Sequence, residues 1–206
     1  MNIGIAEPRA GKLQASTMLA RLPREWQQVI SPPEPVARAV HALVAQHGSG
    51  VLDLDALAQL VADITACPTL WIPLVTSDSA RRRYRLAYED ERLDVWVLSW
   101  MPGQTTGFHD HGHSGVALTA VQGSVLERRL RLPVGISTRI LAPSRIQTGA
   151  AGYIHSVGHH QGEPAVTLHA YSPPLGEVGQ YTAEPDGTLA RNPQHGRQEL
   201  LDNTIP

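Results

Sequence analysis

The stretch from Gly103 to Gly123 places the strongest constraint on the fold of this chain. It contains a glycine-rich approach, the histidines His109 and His111, and an apolar run that ends at the turn Gln122-Gly123. This succession predicts short extended strands joined by glycine turns. Residues two apart in a strand project to the same face, so the two imidazoles point together. They are therefore candidate ligands of one metal ion, of the kind that imidazole suits: zinc, copper, iron or nickel.

Turn residues divide the chain after Ser77 into many short segments. Strands are predicted where the segments alternate or are apolar, at 83–88, 93–100, 116–121, 125–132, 138–141, 153–157 and 165–171. Many short strands at fairly even spacing predict a sandwich or a closed barrel. The tail after Pro174 is polar and is predicted to hold one final strand and a loose end.

Three helices are predicted before these strands. Residues 15–29 favour a broken helix, since Pro23 interrupts them. A second helix starts near Pro33 and stops at Gly48, and Asp53 can cap a third that ends before Pro68. Their apolar stripes indicate that they pack against the sheet.

The length of 206 residues and the 42% hydrophobic content predict one domain. We divide it into a helical part over about 1–76, a barrel over about 77–185 and a tail over about 186–206. A net charge of -2 without long runs of like charge gives no support for a nucleic-acid partner. No apolar stretch is long enough to predict a membrane segment. Cys67 is the single cysteine, which excludes an intramolecular disulfide and fits a cytoplasmic compartment. The sequence does not indicate an oligomeric state.

The spacing around the two histidines resembles the first motif of the cupin superfamily. The motif is matched by Gly103, five residues, His109, one residue, His111, four residues, Val116, six residues and Gly123. In cupins the position of Val116 usually holds a metal-binding glutamate, a role that valine cannot fill. The resemblance therefore implies a metal site without this carboxylate.

A second cupin motif is matched by Gly152, His155 and His159, with His159 in the place of the usual asparagine. The resemblance implies that His155 is the third metal ligand. His159 and His160 are competing candidates by residue type, but the motif spacing favours His155.

A narrower resemblance links the chain to the cysteine dioxygenase family of thiol dioxygenases. The segment EPAVTLHAYSPP over 163–174 is similar to the family's signature, and Trp100 and His109-Asp110-His111 match as well. The resemblance covers roughly residues 80–175 and implies a mainly β, jelly-roll-like cupin barrel with N-terminal helices. It also implies that Fe(II) is held by His109, His111 and His155. The implied reaction oxidises a small thiol, cysteine or else 3-mercaptopropionate, with O2 to its sulfinic acid.

The same resemblance implies roles for residues around the metal. Family members have a serine, a histidine and a tyrosine in a hydrogen-bonded chain that ends at the iron, and here Thr167, His169 and Tyr171 alternate along one predicted strand. Family members also bind the substrate carboxylate with an arginine. Counting back from Trp100 without a gap gives Arg83, and Arg85 is the alternative on the same face. Arg81 and Arg82 are predicted to be solvated, as long charged side chains usually are.

Two local features are also expected from the resemblance. Mammalian members carry a cysteine that crosslinks to the active-site tyrosine, but Gly115 or Val116 stands at that place, so Tyr171 is expected to be unmodified. A cis peptide bond is predicted between Ser172 and Pro173.

Two other functions remain open at the level of sequence. One is another three-histidine cupin dioxygenase, acting on a diketone or a flavonol, and a wide apolar pocket without an arginine would favour it. The other is a cupin that binds a small molecule without catalysis.

Overall fold

The computed structural model describes residues 32–186 and 188–195, and these belong to one compact unit. The predicted broken helix at 15–29 lies outside the described residues, so it stays a prediction. The described helices are α1 (Glu34–Val44) and α2 (Leu54–Thr65), with single 3-10 turns at Ala45–His47, Pro68–Leu70 and Ile72–Leu74. The strands follow in the order β1 (Arg83–Glu89), β2 (Asp94–Trp100), β3 (His109–Asp110), β4 (Gly115–Gln122), β5 (Val125–Arg131), β6 (Gly135–Leu141), β7 (Gln147–Gly149), β8 (Ile154–His159), β9 (Ala165–Ser172), β10 (Glu177–Ala183) and β11 (Leu189–His195).

The strands form two antiparallel sheets. The first sheet has the order β1-β2-β9-β4-β7 and the second has the order β11-β10-β3-β8-β5-β6. Side chains from β2 and β9 of the first sheet and from β3 and β8 of the second line one cavity, so the sheets face each other. The predicted mainly β, jelly-roll-like cupin fold is confirmed. Among the described residues the strands make a sandwich of two sheets rather than a closed barrel.

The two helices cover the outer face of the first sheet. Their buried stripes, including Val40 of α1 and Leu60 of α2, join one hydrophobic core with Leu168 and Ala170 of β9. Because side chains alternate along β9, those of its even-numbered residues face the helices and those of its odd-numbered residues face the space between the sheets. Within the described ranges no single helix is long and apolar enough to cross a membrane, and the one bent pair of sufficient length, Leu54–Thr65 with Pro68–Leu74, contributes its apolar side chains to this core.

Two predicted helix boundaries are confirmed, the start of α2 and the end of the helical segment that begins with α1. The Asp53 side chain accepts a hydrogen bond of 2.9 Å from the backbone N–H of Ala56, which satisfies a donor at the start of α2. Gly48 ends the helical segment that begins with α1, at a φ of 82°, a backbone conformation that favours glycine. The predicted cis bond between Ser172 and Pro173 is also confirmed.

Two segments differ from the sequence-based prediction. The three-residue strand β7 was not predicted, because a segment of this length shows no measurable alternation. The region after Pro174 holds two strands, β10 and β11, rather than one, and β11 lies in the predicted tail. Much of this hairpin is exposed, and both of its strands are largely polar. Their hydrophobic pattern is therefore weak.

Candidate metal centre

Three histidines meet between the two sheets. His109 of β3 and His155 of β8 are directly opposite each other in the strand pairing, and His111 follows β3 by one residue. One nitrogen of each imidazole lies within 4.8 Å of the others, and the ring centroids are 4.8 to 5.1 Å apart. All three side chains are buried. The structure thus brings together the three residues that the sequence marked as ligands.

The chemistry of these nitrogens fits a metal ion. Burial, followed by the charge of the neighbouring histidines, lowers the pKa of His111 well below its usual range, and burial does the same for the pKa of His155. The imidazoles of these two residues are therefore neutral at neutral pH. Within the described part of the chain, both ring nitrogens of His111 and Nε2 of His155 lack a hydrogen-bond partner. Buried polar atoms of this kind are unfavourable unless something binds them, and a metal ion would satisfy them together.

Among residues 32–186 and 188–195, the cluster has the three histidines as its members and no carboxylate. Val116, at the place of the usual cupin glutamate, is fully buried and paired with Tyr171 across β4 and β9. It offers only methyl groups near the cluster. A metal held by these residues would have three imidazole ligands and no carboxylate ligand from the described chain.

Asp110, which lies between the first two histidines, links β3 to β10 and β11 of the same sheet. Its carboxylate accepts hydrogen bonds from Arg191 Nε at 2.7 Å, from the Tyr181 hydroxyl at 2.7 Å and from the Gly112 backbone at 2.8 Å. Burial opposes ionisation of Asp110, but these bonds outweigh it and hold its pKa well below the usual range. Arg191 passes closely over Gly179, where a Cβ atom would come within 2.2 Å of Nε. The backbone between the two ligands is therefore fixed.

A small cavity adjoins the histidines. The side chains that line it come from both sheets and the connecting segments: Arg82, Leu98, Trp100, Thr106, His109, Val157, His169 and Tyr171. Because this lining combines a guanidinium and hydroxyl groups with apolar side chains, the cavity suits a small molecule that carries polar groups.

The arginine in this cavity is Arg82, and the prediction that Arg82 is solvated is wrong. Its side chain is only 5% exposed, and its guanidinium carbon lies 4.9 Å from the centroid of the Trp100 ring. Arg83, the predicted carboxylate ligand, is largely exposed and pairs with Asp78. Arg85 stands opposite Val97 and is half-buried. Neither Arg83 nor Arg85 belongs to the cavity lining, so the geometry favours Arg82.

Thr167, His169 and Tyr171 form a hydrogen-bonded chain along the inner face of β9. Trp100 Nε1 donates to Thr167 Oγ1 at 2.8 Å, Thr167 Oγ1 lies 3.0 Å from His169 Nε2, and His169 Nδ1 lies 3.1 Å from the Tyr171 hydroxyl. The Tyr171 ring then stacks against His111, with centroids 4.9 Å apart. Burial lowers the pKa of His169 well below its usual range, so this imidazole is neutral. The chain connects Trp100 to the histidine cluster.

Glu127 of β5 is a residue that the sequence analysis missed. It is completely buried, and its Oε1 atom lies 2.8 Å from His155 Nδ1 and accepts a hydrogen bond of 2.9 Å from the Tyr153 hydroxyl. Arg139 Nε lies 3.1 Å from Oε2. Burial raises the pKa of the Glu127 carboxyl, whereas Tyr153, Arg139 and Arg129 act in the opposite direction. An acidic residue at an inward position of a predicted strand was the signal that could have identified it.

Comparisons with known proteins identify the family of this chain. The family model for Cysteine dioxygenase type I matches residues 26–184. Cysteine dioxygenase type 1 of Homo sapiens is 28% identical over 148 residues, which cover 67% of this chain and 72% of the human protein. The protein of the same name from Danio rerio is 27% identical over 162 residues, which cover 72% of this chain and 80% of that protein. A solved cupin superfamily structure from Desulfitobacterium hafniense covers 50% of this chain and 86% of its own, at 12% identity and a TM-score of 0.43. Since the family match spans well over half of the sequence, the chain belongs to the cysteine dioxygenase type I family.

Proposed function

We propose that this protein is an Fe(II)-dependent thiol dioxygenase. It converts a small thiol to a sulfinic acid, R–SH + O2 → R–SO2H, so that both oxygen atoms end on sulfur. The observation that carries the proposal is the position of the three-histidine cluster beside a small cavity that Arg82 and Tyr171 also line. Cysteine and 3-mercaptopropionate are the proposed substrates, because both combine a thiol with a carboxylate.

His109, His111 and His155 would hold the iron. Bound Fe(II) supplies the electrons that activate O2 and lowers the pKa of the substrate thiol. Iron is proposed because the chain belongs to the cysteine dioxygenase family, since three imidazoles alone do not select iron over nickel, copper or zinc.

Arg82 binds the substrate carboxylate in this proposal. Its guanidinium is buried beside Trp100, in the same cavity as His109 and Tyr171. A guanidinium matches a carboxylate with two parallel hydrogen bonds, and burial strengthens this pairing. The carboxylate would then be anchored at one end of the cavity with the thiol at the histidine end. Leu98 and Val157 line the cavity as apolar walls and limit the water around the thiol.

Tyr171 donates a hydrogen bond into the cavity in this proposal. Trp100 Nε1 can only donate, and Thr167 is completely buried, so the threonine hydroxyl hydrogen must find an acceptor inside the protein. Among the described residues His169 Nε2 is the hydrogen-bond partner that can accept it. His169 then carries its proton on Nδ1 and donates to the tyrosine oxygen. The Tyr171 side chain lines the cavity, where its hydroxyl can orient the thiol substrate or dioxygen.

The direct test is a panel of thiols with the purified, iron-loaded protein. Oxygen consumption and sulfinate formation are measured with cysteine, 3-mercaptopropionate and cysteamine, with the His111→Ala variant as the control. We expect one sulfinate for each O2 consumed, and activity with at least one thiol that carries a carboxylate. Absence of oxygen consumption with all three thiols, from a protein shown to contain iron, would contradict the proposal.

The cavity argues against a diketone or flavonol as the substrate. Such molecules require a wide apolar pocket, whereas this cavity is small and holds a buried guanidinium.

A reducing cytoplasmic compartment fits the proposed activity, because thiol substrates and the exposed Cys67 both remain reduced there.

A further inference from the structure

We propose that Glu127 is the positioning residue of the metal centre. It holds His155 in the tautomer whose Nε2 binds the metal, and it supplies a negative charge that the three-histidine ligand set lacks. This inference rests on the metal site proposed above. It goes beyond that site because it proposes that a residue outside the ligand set determines how strongly the metal is bound.

The strand register places Glu127 behind His155. In the order β3-β8-β5-β6, His109 is opposite His155, and the next strand brings Arg129 opposite His155 and Glu127 opposite Val157. Glu127 is thus the diagonal neighbour of His155 on the adjacent strand, within reach of its side chain. Arg139 of the edge strand β6 stands directly opposite Glu127.

The groups around the carboxylate determine which nitrogen of His155 carries the proton. The Tyr153 hydroxyl donates to Oε1, and the Arg139 guanidinium faces Oε2 at 3.1 Å. Oε1 therefore accepts a hydrogen bond, and Oε2 faces a cation. His155 Nδ1, 2.8 Å from Oε1, must then donate its N–H. The lone pair of His155 consequently lies on Nε2, the buried atom that has no hydrogen-bond partner in the described part of the chain.

Close packing holds this carboxylate in position. The Tyr153 ring lies directly on Gly149 of β7, where a Cβ atom would come within 2.3 Å of the ring. On the other side, the guanidinium carbon of Arg129 lies 4.5 Å from the ring centroid. Arg139 also donates to the Gln147 side chain. Glu127 can therefore fix the orientation of the His155 ring rather than adapt to it.

His155 is the histidine of the cluster whose second nitrogen contacts a charged acceptor. Nδ1 of His109 lies 3.0 Å from the backbone carbonyl of Gly107, which is a neutral acceptor. A carboxylate on the far side of an imidazole raises its strength as a metal ligand, and loss of such a group typically weakens metal binding about 10- to 100-fold. Because Val116 removes the carboxylate that cupins usually place on the metal, Glu127 provides the negative charge one hydrogen bond further out.

The first experiment compares metal binding by Glu127→Gln with that of the wild type. Metal-free, full-length protein is titrated with Co²⁺ alone, and both the affinity and the visible d–d absorption are recorded. The matched control is Glu91→Gln, an equal change of charge at an exposed residue of the β1–β2 turn. We expect Glu127→Gln to bind Co²⁺ about 10- to 100-fold more weakly and with an altered absorption spectrum. Glu91→Gln should stay within about twofold of the wild type, a change well below the range that loss of such a carboxylate produces. Equal affinity and spectrum in Glu127→Gln and wild type would overturn the proposal.

The second experiment needs no variant and applies even if Glu127→Gln does not fold. The tautomer of His155 is read from the ¹⁵N and ¹H chemical shifts of its imidazole in the metal-free wild type. We expect the proton on Nδ1, and a proton on Nε2 would overturn the proposal.

Both experiments are independent of thiol turnover. If the wild type binds Co²⁺ more tightly than Glu127→Gln but the iron-loaded protein oxidises no thiol, the proposed function fails and the role of Glu127 stands. If thiol oxidation is observed but Glu127→Gln binds Co²⁺ as the wild type does, the proposed function stands and the role of Glu127 fails. A wild type that binds no Co²⁺ overturns the role of Glu127.

Discussion

Replacing Arg82 by methionine tests the assignment of the carboxylate-binding residue most sharply. The substitution removes the guanidinium from the cavity while an unbranched side chain of similar reach remains beside Trp100. Because Arg82 lines the same cavity as His109 and Tyr171, we expect the loss to weaken binding of thiols that carry a carboxylate. A thiol without a carboxylate should be affected far less.

The expected size follows from the interaction that is lost. A hydrogen bond to a charged group contributes about 1.5–3 kcal/mol, and about 1.4 kcal/mol corresponds to a tenfold change in affinity. Arg82→Met should therefore raise KM for cysteine or 3-mercaptopropionate about 10- to 150-fold. The change for cysteamine, which has no carboxylate, should stay below about threefold because this interaction is missing.

The assay measures initial rates of oxygen consumption over a range of each thiol, with iron content determined for every sample. The control is Arg83→Met, a change of the same kind at the next residue. Arg83 is largely exposed and pairs with Asp78, so its KM values should remain within about twofold of those of the wild type. Iron content and melting temperature should be unchanged in the control.

Two results would refute the assignment. An equal rise of KM for cysteamine and for the carboxylate thiols would show that Arg82→Met distorts the cavity instead of removing a carboxylate contact. A rise in KM for carboxylate thiols in Arg83→Met, with Arg82→Met unaffected, would show that the other arginine binds the substrate.

Three further predictions concern the hydrogen-bonded chain of β9, the metal, and Tyr88 of β1, whose hydroxyl lies 2.9 Å from His41 Nδ1 of α1. Tyr171→Phe should lower kcat about tenfold or more at similar iron content, and should lower the free energy of unfolding by about 1–3 kcal/mol because His169 loses its partner; an unchanged kcat would contradict the role of the hydroxyl. Co²⁺ at about 100 times its dissociation constant should raise the free energy of unfolding by about 2.7 kcal/mol in the wild type. His111→Ala should not respond to the same concentration of Co²⁺, and an equal gain in this variant would contradict the ligand assignment. Burial and then Asp90 raise the pKa of Tyr88 to about 12, so its stabilising contribution is complete below pH 10 and is lost as the pH rises through 12. In urea unfolding, Tyr88→Phe should be less stable than the wild type at pH 8, and the gap should narrow toward pH 11; a constant gap would contradict the shift.

The sequence predicted the three-histidine cluster correctly, in part from local geometry. Residues at alternate positions of an extended strand share a face, which placed His109 and His111 together. His155, which lies opposite His109 on β8, was added by the resemblance to the second cupin motif. Alternation also placed Thr167, His169 and Tyr171 on one face of β9, where the structure has them hydrogen-bonded in series. The relations among these last three residues depend only on neighbours within one strand.

The arginine of the cavity was harder to predict because its position depends on the pairing between β1 and β2. The pairing of β1 and β2 shifts by one residue between Leu86 and Tyr88, which indicates a β-bulge. Arg83 pairs with Ser99 beyond the bulge, and the same register brings Arg82 opposite Trp100. Without the shift, Arg83 would take that position. A shift of one residue exchanges the two faces of a strand, and no residue pattern in this segment reveals it.

Glu127 was missed for a related reason. Its importance arises from β8 on one side and β6 on the other, and both contacts require the register of three strands. In the sequence it is one charged residue of the segment VLERRLR, in which a solvent-facing glutamate is the ordinary interpretation. Alternation with Val125 marks the position of Glu127 as inward, but the partners of its carboxylate become known only with the register of the strands.

In the proposed reaction, each of the two sheets supplies a different set of groups. The second sheet supplies His109, His155 and Glu127, so it controls the metal. The first sheet supplies Trp100 and Tyr171, and Arg82 directly precedes its strand β1, so this sheet holds the groups that act on the substrate. The cavity lies where the two sheets meet, and its geometry therefore depends on their spacing. The helices α1 and α2 pack on the outer face of the first sheet, against the side chains of β9 that alternate with Thr167, His169 and Tyr171. Changes in that apolar core should therefore alter catalysis although its side chains do not line the cavity.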